Sequence, residues 1–143
     1  MATVSDVAAF ILAEKGLMTA MKLQKLAYYS QAWALVWDEQ PIFEEDFEAW
    51  ANGPVAPSLY RAHAGKFTVE KGSIGGDPAI IAPDHRETIL KVLEFYGDKS
   101  AQTLSDLTHS EPPWKVARGE LSPGALSKAI ISKAAMAEYY GSL

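Results

Sequence analysis

Thr19-Ala20-Met21-Lys22-Leu23-Gln24-Lys25-Leu26-Ala27-Tyr28-Tyr29, running on through Ser30-Gln31-Ala32-Trp33-Ala34-Leu35-Val36-Trp37, reads as the chain's long helix. Thr19 is placed to cap it, and the helix is expected from Ala20 to about Trp37. Leu23, Leu26, Ala27, Ser30, Trp33, Ala34 and Trp37 recur at three-and-four spacing and define the face expected to be buried. The opposite side carries Lys22, Lys25, Tyr29 and Ala32 one turn apart, a side expected to meet solvent as a lysine stripe.

Toward the N-terminus a shorter helix is expected from Thr3 or Ser5. Thr3 and Asp6 have capping-box spacing, Val7, Phe10 and Ile11 share one face, and Gly16 supplies the stop. Beyond Trp37, Asp38 to Pro41 reads as a turn, and Ile42–Phe43 and Phe47–Ala51 as short extended pieces in which apolar and acidic residues alternate. Asn52-Gly53-Pro54 is a breaker, with Pro54 and Pro57 forcing an extended link to a short helix, Ser58 to His63. Residues 65–82 read as a loop holding one or two small strands around Phe67, Val69, Ile80 and Ile81. Asp84, with Glu87 at the reciprocal position, is expected to cap a helix that buries Ile89, Leu90, Val92, Leu93 and Tyr96 and stops at Gly97. Further helices are expected from Ser100 to Thr108, from Pro112-Pro113 through Arg118, and from a Ser132 cap to Tyr139-Tyr140-Gly141. The predicted fold is mainly α: one compact domain over residues 1–143, with six to seven helices and a small β-hairpin or a two- to three-stranded minor sheet.

Composition narrows the function classes. A chain of 143 residues can bury a core without staples, and the absence of cysteine removes disulfides, thiolate nucleophiles and cysteine-based zinc sites. No basic n-region precedes the first apolar stretch, and no run approaches a membrane span, so a cytoplasmic, non-membrane protein is expected. The net charge is −5, and Asp38, Glu39, Glu44, Glu45, Asp46 and Glu48 fall together with no Lys or Arg between them. Outside that run 13 bases face 12 acids, so the basic stripe of a nucleic-acid binder is missing and no nucleic-acid partner is expected. The run matches no EF-hand spacing and reads as a solvated, strand-edge acidic face, with a docking surface as the alternative.

No catalytic constellation stands out. His63, His85 and His109 have no metal-ligand spacing, and neither a metal nor a cofactor is expected. Ser105, His109 and Glu111 lie close in sequence, but no G-x-S-x-G elbow accompanies them. The structural reading makes His109 a helix C-cap, bonded to terminal carbonyls or to Glu111, with Trp114 beneath it. Gly72-Ser73-Ile74-Gly75-Gly76 lacks the lysine of a phosphate loop. The first two helices resemble a helix-turn-helix, but the second is too apolar to give up its face to DNA. Trp50, just before the Asn52-Gly53-Pro54 turn, is the candidate semi-exposed aromatic of the kind that anchors interfaces.

Three blocks carry a resemblance. Lys22-Leu23-Gln24-Lys25-Leu26-Ala27-Tyr28-Tyr29 is similar to the K-L-Q-K-L-x-Y-Y helix of Panacea-domain proteins, the SocA-like, phage-associated antitoxins. Ala49-Trp50-Ala51-Asn52-Gly53-Pro54-Val55 with Leu59-Tyr60 resembles that family's A-W-x-x-G-P-V-x-x-x-L-Y segment. Leu104-Ser105, Thr108-His109, Glu111 and Pro113-Trp114 resemble its third block, L-S-x-x-T-H-x-E-x-P-W. The resemblance implies a non-enzymatic antitoxin that neutralises a cognate protein toxin by direct binding. In the SocA-like branch it also implies an adaptor that delivers the toxin to ClpX of the ClpXP protease. The DNA-binding segment of many relatives is not expected in this length. Lys22, Lys25, Tyr29, Trp50, Asn52, Gly53, Pro54, Tyr60, His109 and Trp114 are the matching positions expected to form the partner-binding surface. Two rivals stay open: a small-ligand binder or hydrolase using Ser105, His109 and Glu111 with Lys22 or Lys25, and a transcriptional regulator.

Overall fold

A computed structural model describes residues 1–122 and 124–143. Among the described residues the order is α1 (Val4–Lys15), β1 (Met18–Thr19), α2 (Ala20–Trp37), β2 (Phe47–Trp50), β3 (Gly53–Val55), α3 (Pro57–His63), β4 (Thr68–Val69), a 3-10 turn (Pro78–Ile80), α4 (Pro83–Tyr96), α5 (Ala101–Ser110), α6 (Pro112–Arg118), β5 (Ile130–Ile131) and α7 (Lys133–Gly141). The chain is therefore mainly α with a minor β component, as expected. Two antiparallel sheets accompany the helices, a β1–β4 pair and a three-stranded sheet in the order β3-β2-β5. No described helix is long and apolar enough to cross a membrane.

Helix starts follow local chemistry. Thr3 and Asp6 form a reciprocal capping box, and the hydroxyls of Thr19, Ser100 and Ser132 each accept an amide of the first turn that otherwise has no partner. At α4 the expected Asp84 cap is displaced. Ala82 is the N-cap without a side-chain bond, and Pro83 takes the first helical position, where its missing N–H costs nothing.

The long helix α2 corrects the expected division into a wet and a dry face. Twelve of its residues are buried, and Lys25, Tyr29 and Ala32 on the supposed outer side are each 1% exposed or less. Trp37, assigned to the core, is 50% exposed and stacks on Trp33 at 4.8 Å. The cause is position: α1, α4, α5, α7 and β3 all pack against α2, so it is the central rod of one core running from Ala2 to Tyr140.

The acidic run works largely as a set of staples. Glu45 accepts the Val4 amide at the start of α1 through both oxygens, at 3.3 and 3.2 Å. Asp46 pairs with Lys133 at 2.9 Å, and Asp38 accepts the Thr88 hydroxyl at 2.8 Å. Ile42–Phe43, expected to be extended, is buried but joins no strand. Its backbone is instead held by Gln31, whose side chain accepts the Ile42 amide at 2.8 Å and donates to the Phe43 carbonyl at 2.7 Å.

Candidate functional site

The turn between β2 and β3 is where the three sequence blocks meet. Gly53 has φ of +117°, and a β-carbon there would lie 2.5 Å from Cε of Lys25 and 3.0 Å from the Thr108 hydroxyl. The glycine thus leaves the space through which the α2 lysine runs beneath the hairpin. Lys25 donates to the Pro54 carbonyl at 3.3 Å, and burial pushes its amine down from 10.5 to about 7. Lys22 and Lys25 consequently do not form a joint cationic face. Lys22 is half-buried, and its electrostatic neighbours are Lys15 and Asp98.

One residue before Lys25, Gln24 reads the chain between β3 and α3 as a strand partner would. Its oxygen accepts the Ala56 amide at 2.9 Å, while its nitrogen donates to the Ala56 carbonyl at 3.3 Å and lies 3.0 Å from Nε2 of His63. With the amide donating, that ring nitrogen is an acceptor. Burial also disfavours the imidazolium of His63, and the nearby Lys25 adds to the effect.

From the other side, α5 and α6 take hold of the backbone of the same hairpin. The Ser105 hydroxyl donates to the Asn52 carbonyl at 2.8 Å, Nε1 of Trp114 to the Trp50 carbonyl at 2.9 Å, and the Arg118 guanidinium to the Ala49 carbonyl at 2.9 Å. His109 lies flat on Trp114, with ring centroids 4.1 Å apart, so the expected packing of this pair is present. The expected bond from His109 to Glu111 is absent, because Glu111 is used elsewhere. Its Oε1 accepts the Tyr29 and Tyr140 hydroxyls at 2.7 Å each, tying α2 to α7. Burial holds the Glu111 carboxyl above its usual range, opposed by these two donors. Nε2 of His109 is buried without a hydrogen-bond partner among the described residues, and burial lowers its affinity for a proton.

The hydrolase reading fails on this geometry. Ser105, His109 and Glu111 are each committed to a different neighbour, and no nucleophile–base–carboxylate relay links them. Among the described residues no group of three His, Asp or Glu side chains could hold a metal ion.

The ten expected site residues fall into two layers. Lys25, Gly53, Pro54 and Trp114 are buried and His109 is partly covered, within or under the hairpin, while Tyr29 is buried away from it, bonded to Glu111 and stacked on Tyr96. Trp50, Asn52, Tyr60 and Lys22 reach the surface to differing degrees: Asn52 is exposed, Tyr60 is 39% exposed, and Trp50 and Lys22 are half-buried. The Trp50 and Tyr60 rings are 5.0 Å apart, and Nε1 of Trp50 donates to Glu48 at 2.8 Å. A cleft of about 330 Å³ opens beside Trp50 and another of about 390 Å³ beside Tyr60, and Met21 lines both. The expected list lacks Met21, Phe67 and Leu126, which wall these clefts. Phe67 and Leu126 are isolated apolar residues in loops, and only their exposure of 81% and 94% marks them.

Comparison with known proteins places this arrangement. Residues 23–115 match the family model "Antitoxin SocA-like, Panacea domain". Antitoxin SocA of Caulobacter vibrioides (strain NA1000 / CB15N) is 35% identical over 108 residues, covering 67% of this chain and 57% of the relative. The chain thus spans little more than half the length of that relative. No solved structure matches it. The matched stretch contains the second and third blocks and all of the first but Lys22, and the chain belongs to the SocA-like antitoxin family of Panacea-domain proteins.

Proposed function

We propose that this protein is an antitoxin that neutralises a protein toxin by direct binding, using the surface around the β2–β3 hairpin. The observation that carries the reading is the two-layer build of that hairpin. Side chains from α5 and α6 anchor its carbonyls at residues 49, 50 and 52, and Lys25 and Gln24 brace it from α2. This support braces the backbone that carries Trp50, whose ring lies against Tyr60 of α3, and pre-organised aromatics are effective interface anchors because little entropy is lost when they bind. The name of the Caulobacter relative, and membership of its family, support the antitoxin role.

Co-expression with the reading frame adjacent to this gene, followed by growth rescue and co-purification, tests the proposal. Wild type is expected to rescue and to co-purify with the toxin, whereas Trp50→Ala with Tyr60→Ala loses both and still gives a cooperative melt. Absence of rescue and of co-purification by wild type overturns it. Delivery of the bound toxin to ClpXP is the further step the family resemblance implies. A toxin half-life that shortens only when both the antitoxin and ClpXP are present is the expected result.

A further inference from the structure

The two clefts on either side of the Trp50–Tyr60 pair differ in charge from the rest of the molecule. The chain as a whole carries five more acids than bases. Elsewhere on the described surface, the hollow beside Trp37 is lined by three acids, Asp38, Asp84 and Glu87, against one base, Lys91, and the one beside Met1 by Glu44 and Glu45. Neither cleft at the hairpin is lined by a carboxylate. Lys128 lines the one at Trp50, and Lys66 lines the one at Tyr60. Lys66 and Lys128 are both exposed, and neither appears in an ion pair among the described residues. The one acid of the hairpin strands, Glu48, lines neither cleft and accepts from the Trp50 indole.

The walls between these cations are apolar. Met21 is shared, the contacting rings of Trp50 and Tyr60 line one cleft each, and the exposed Leu126 and Phe67 line the first and the second. Large exposed apolar side chains gathered at a cleft mark an interaction surface rather than the ordinary scatter of surface hydrophobes. On a surface of this kind, cations at the rim select the sign of the partner's charge and steer its approach, and the apolar floor holds the bound segment.

From this juxtaposition we infer that the paired clefts take a segment of the partner protein bearing at least two large apolar side chains flanked by Asp or Glu. The inference rests on the toxin-binding reading above and names the chemistry of the toxin segment. Single-stranded nucleic acid is the rival occupant, since it also pairs phosphates with lysines and bases with aromatics. Two lysines are a weak counterion-release site, however, and the acidic remainder of the chain repels a polyanion longer than the clefts.

The test uses the full chain and a display library of random dodecapeptides, with an oligothymidine as the nucleic-acid probe. Peptides enriched on the wild type are expected to carry net negative charge and at least two large apolar residues. They are expected to bind the Lys66→Glu, Lys128→Glu double variant at least tenfold more weakly, with the melt unchanged, and to lose affinity on Phe67→Ser or Leu126→Ser. Enrichment without an acidic bias, no enrichment, or tighter binding of oligothymidine than of the selected peptides overturns the inference. Co-purification separates it from the parent reading. Toxin held equally by wild type and the double lysine variant overturns this inference alone, and toxin held by neither overturns the antitoxin reading.

Discussion

At Gly53 a methyl group would meet Cε of Lys25 at 2.5 Å, and the backbone sits at φ of +117°, a conformation that side chains with a β-carbon rarely adopt. Gly53→Ala is expected to lose about 1–3 kcal/mol from backbone strain alone, and further stability from displacing Lys25, measured by urea denaturation. The buried amine has its own reporter in pH. Its proton affinity in the folded state is lowered to about 7 from 10.5, so between those values the unfolded chain binds the extra proton. Stability therefore rises with pH across that window, by at most about 1.4 kcal/mol per pH unit. The penalty is largest below pH 7, where the ammonium is buried. Lys25→Met is expected to remove most of the slope between pH 7 and 10, leaving the smaller part due to Lys22, whose amine is also lowered chiefly by burial. An unchanged slope would place the titrating group elsewhere. The sequence could not reveal this burial, because a lysine at helical spacing opposite an apolar face ordinarily lies in solvent. The clue was Gly53, twenty-eight positions away, whose need for an absent side chain becomes intelligible only when the two are seen together.

At the level of elements, α2 is held by packing against α1, α4, α5, α7 and β3 and by polar contacts that include a knot at Glu111. Tyr29 and Tyr140 share Oε1 of Glu111, Tyr140 lies 3.2 Å from the Tyr28 hydroxyl, and Tyr29 stacks on Tyr96 at 4.1 Å. Glu111→Ala leaves two buried hydroxyls without their acceptor and is expected to cost about 2–5 kcal/mol. Glu111→Gln keeps an oxygen in place and is expected to cost about 1 kcal/mol; equal melting temperatures for the two variants would deny the knot its role. Element existence was readable because caps and breakers are local: Thr3, Thr19, Ser100 and Ser132 each do what their position announces. Element environment was not. How much of α2 is covered depends on helices as far as 112 residues away, and a two-residue strand such as β5 exists only because β2 offers it a partner. The motif around Ser105, His109 and Glu111 looked like chemistry for a related reason. Adjacency in sequence hides the fact that each side chain points to a different element.

On the scale of the molecule, the charge is divided. The acids of residues 38–48 fasten α1 and α7 to the segment leading into β2 and α4 to the end of α2, whereas Lys66 and Lys128, in no ion pair among the described residues, line the apolar clefts at the hairpin. A second set of exposed apolar side chains belongs to α2 and α4, where Trp37, Leu90 and Phe95 are 45–67% exposed. It is partly covered by cations, Lys91 over the Trp37 ring and Lys99 over Phe95, and it lacks the braced backbone of the hairpin. Hydrogen-exchange footprinting of the complex with the toxin distinguishes these faces directly. Protection is expected at residues 49–60, in the Phe67 loop and at 126–128, with α4 exchanging as in the free protein. Protection confined to α4 and the end of α2, with the hairpin exchanging as before, would contradict the account.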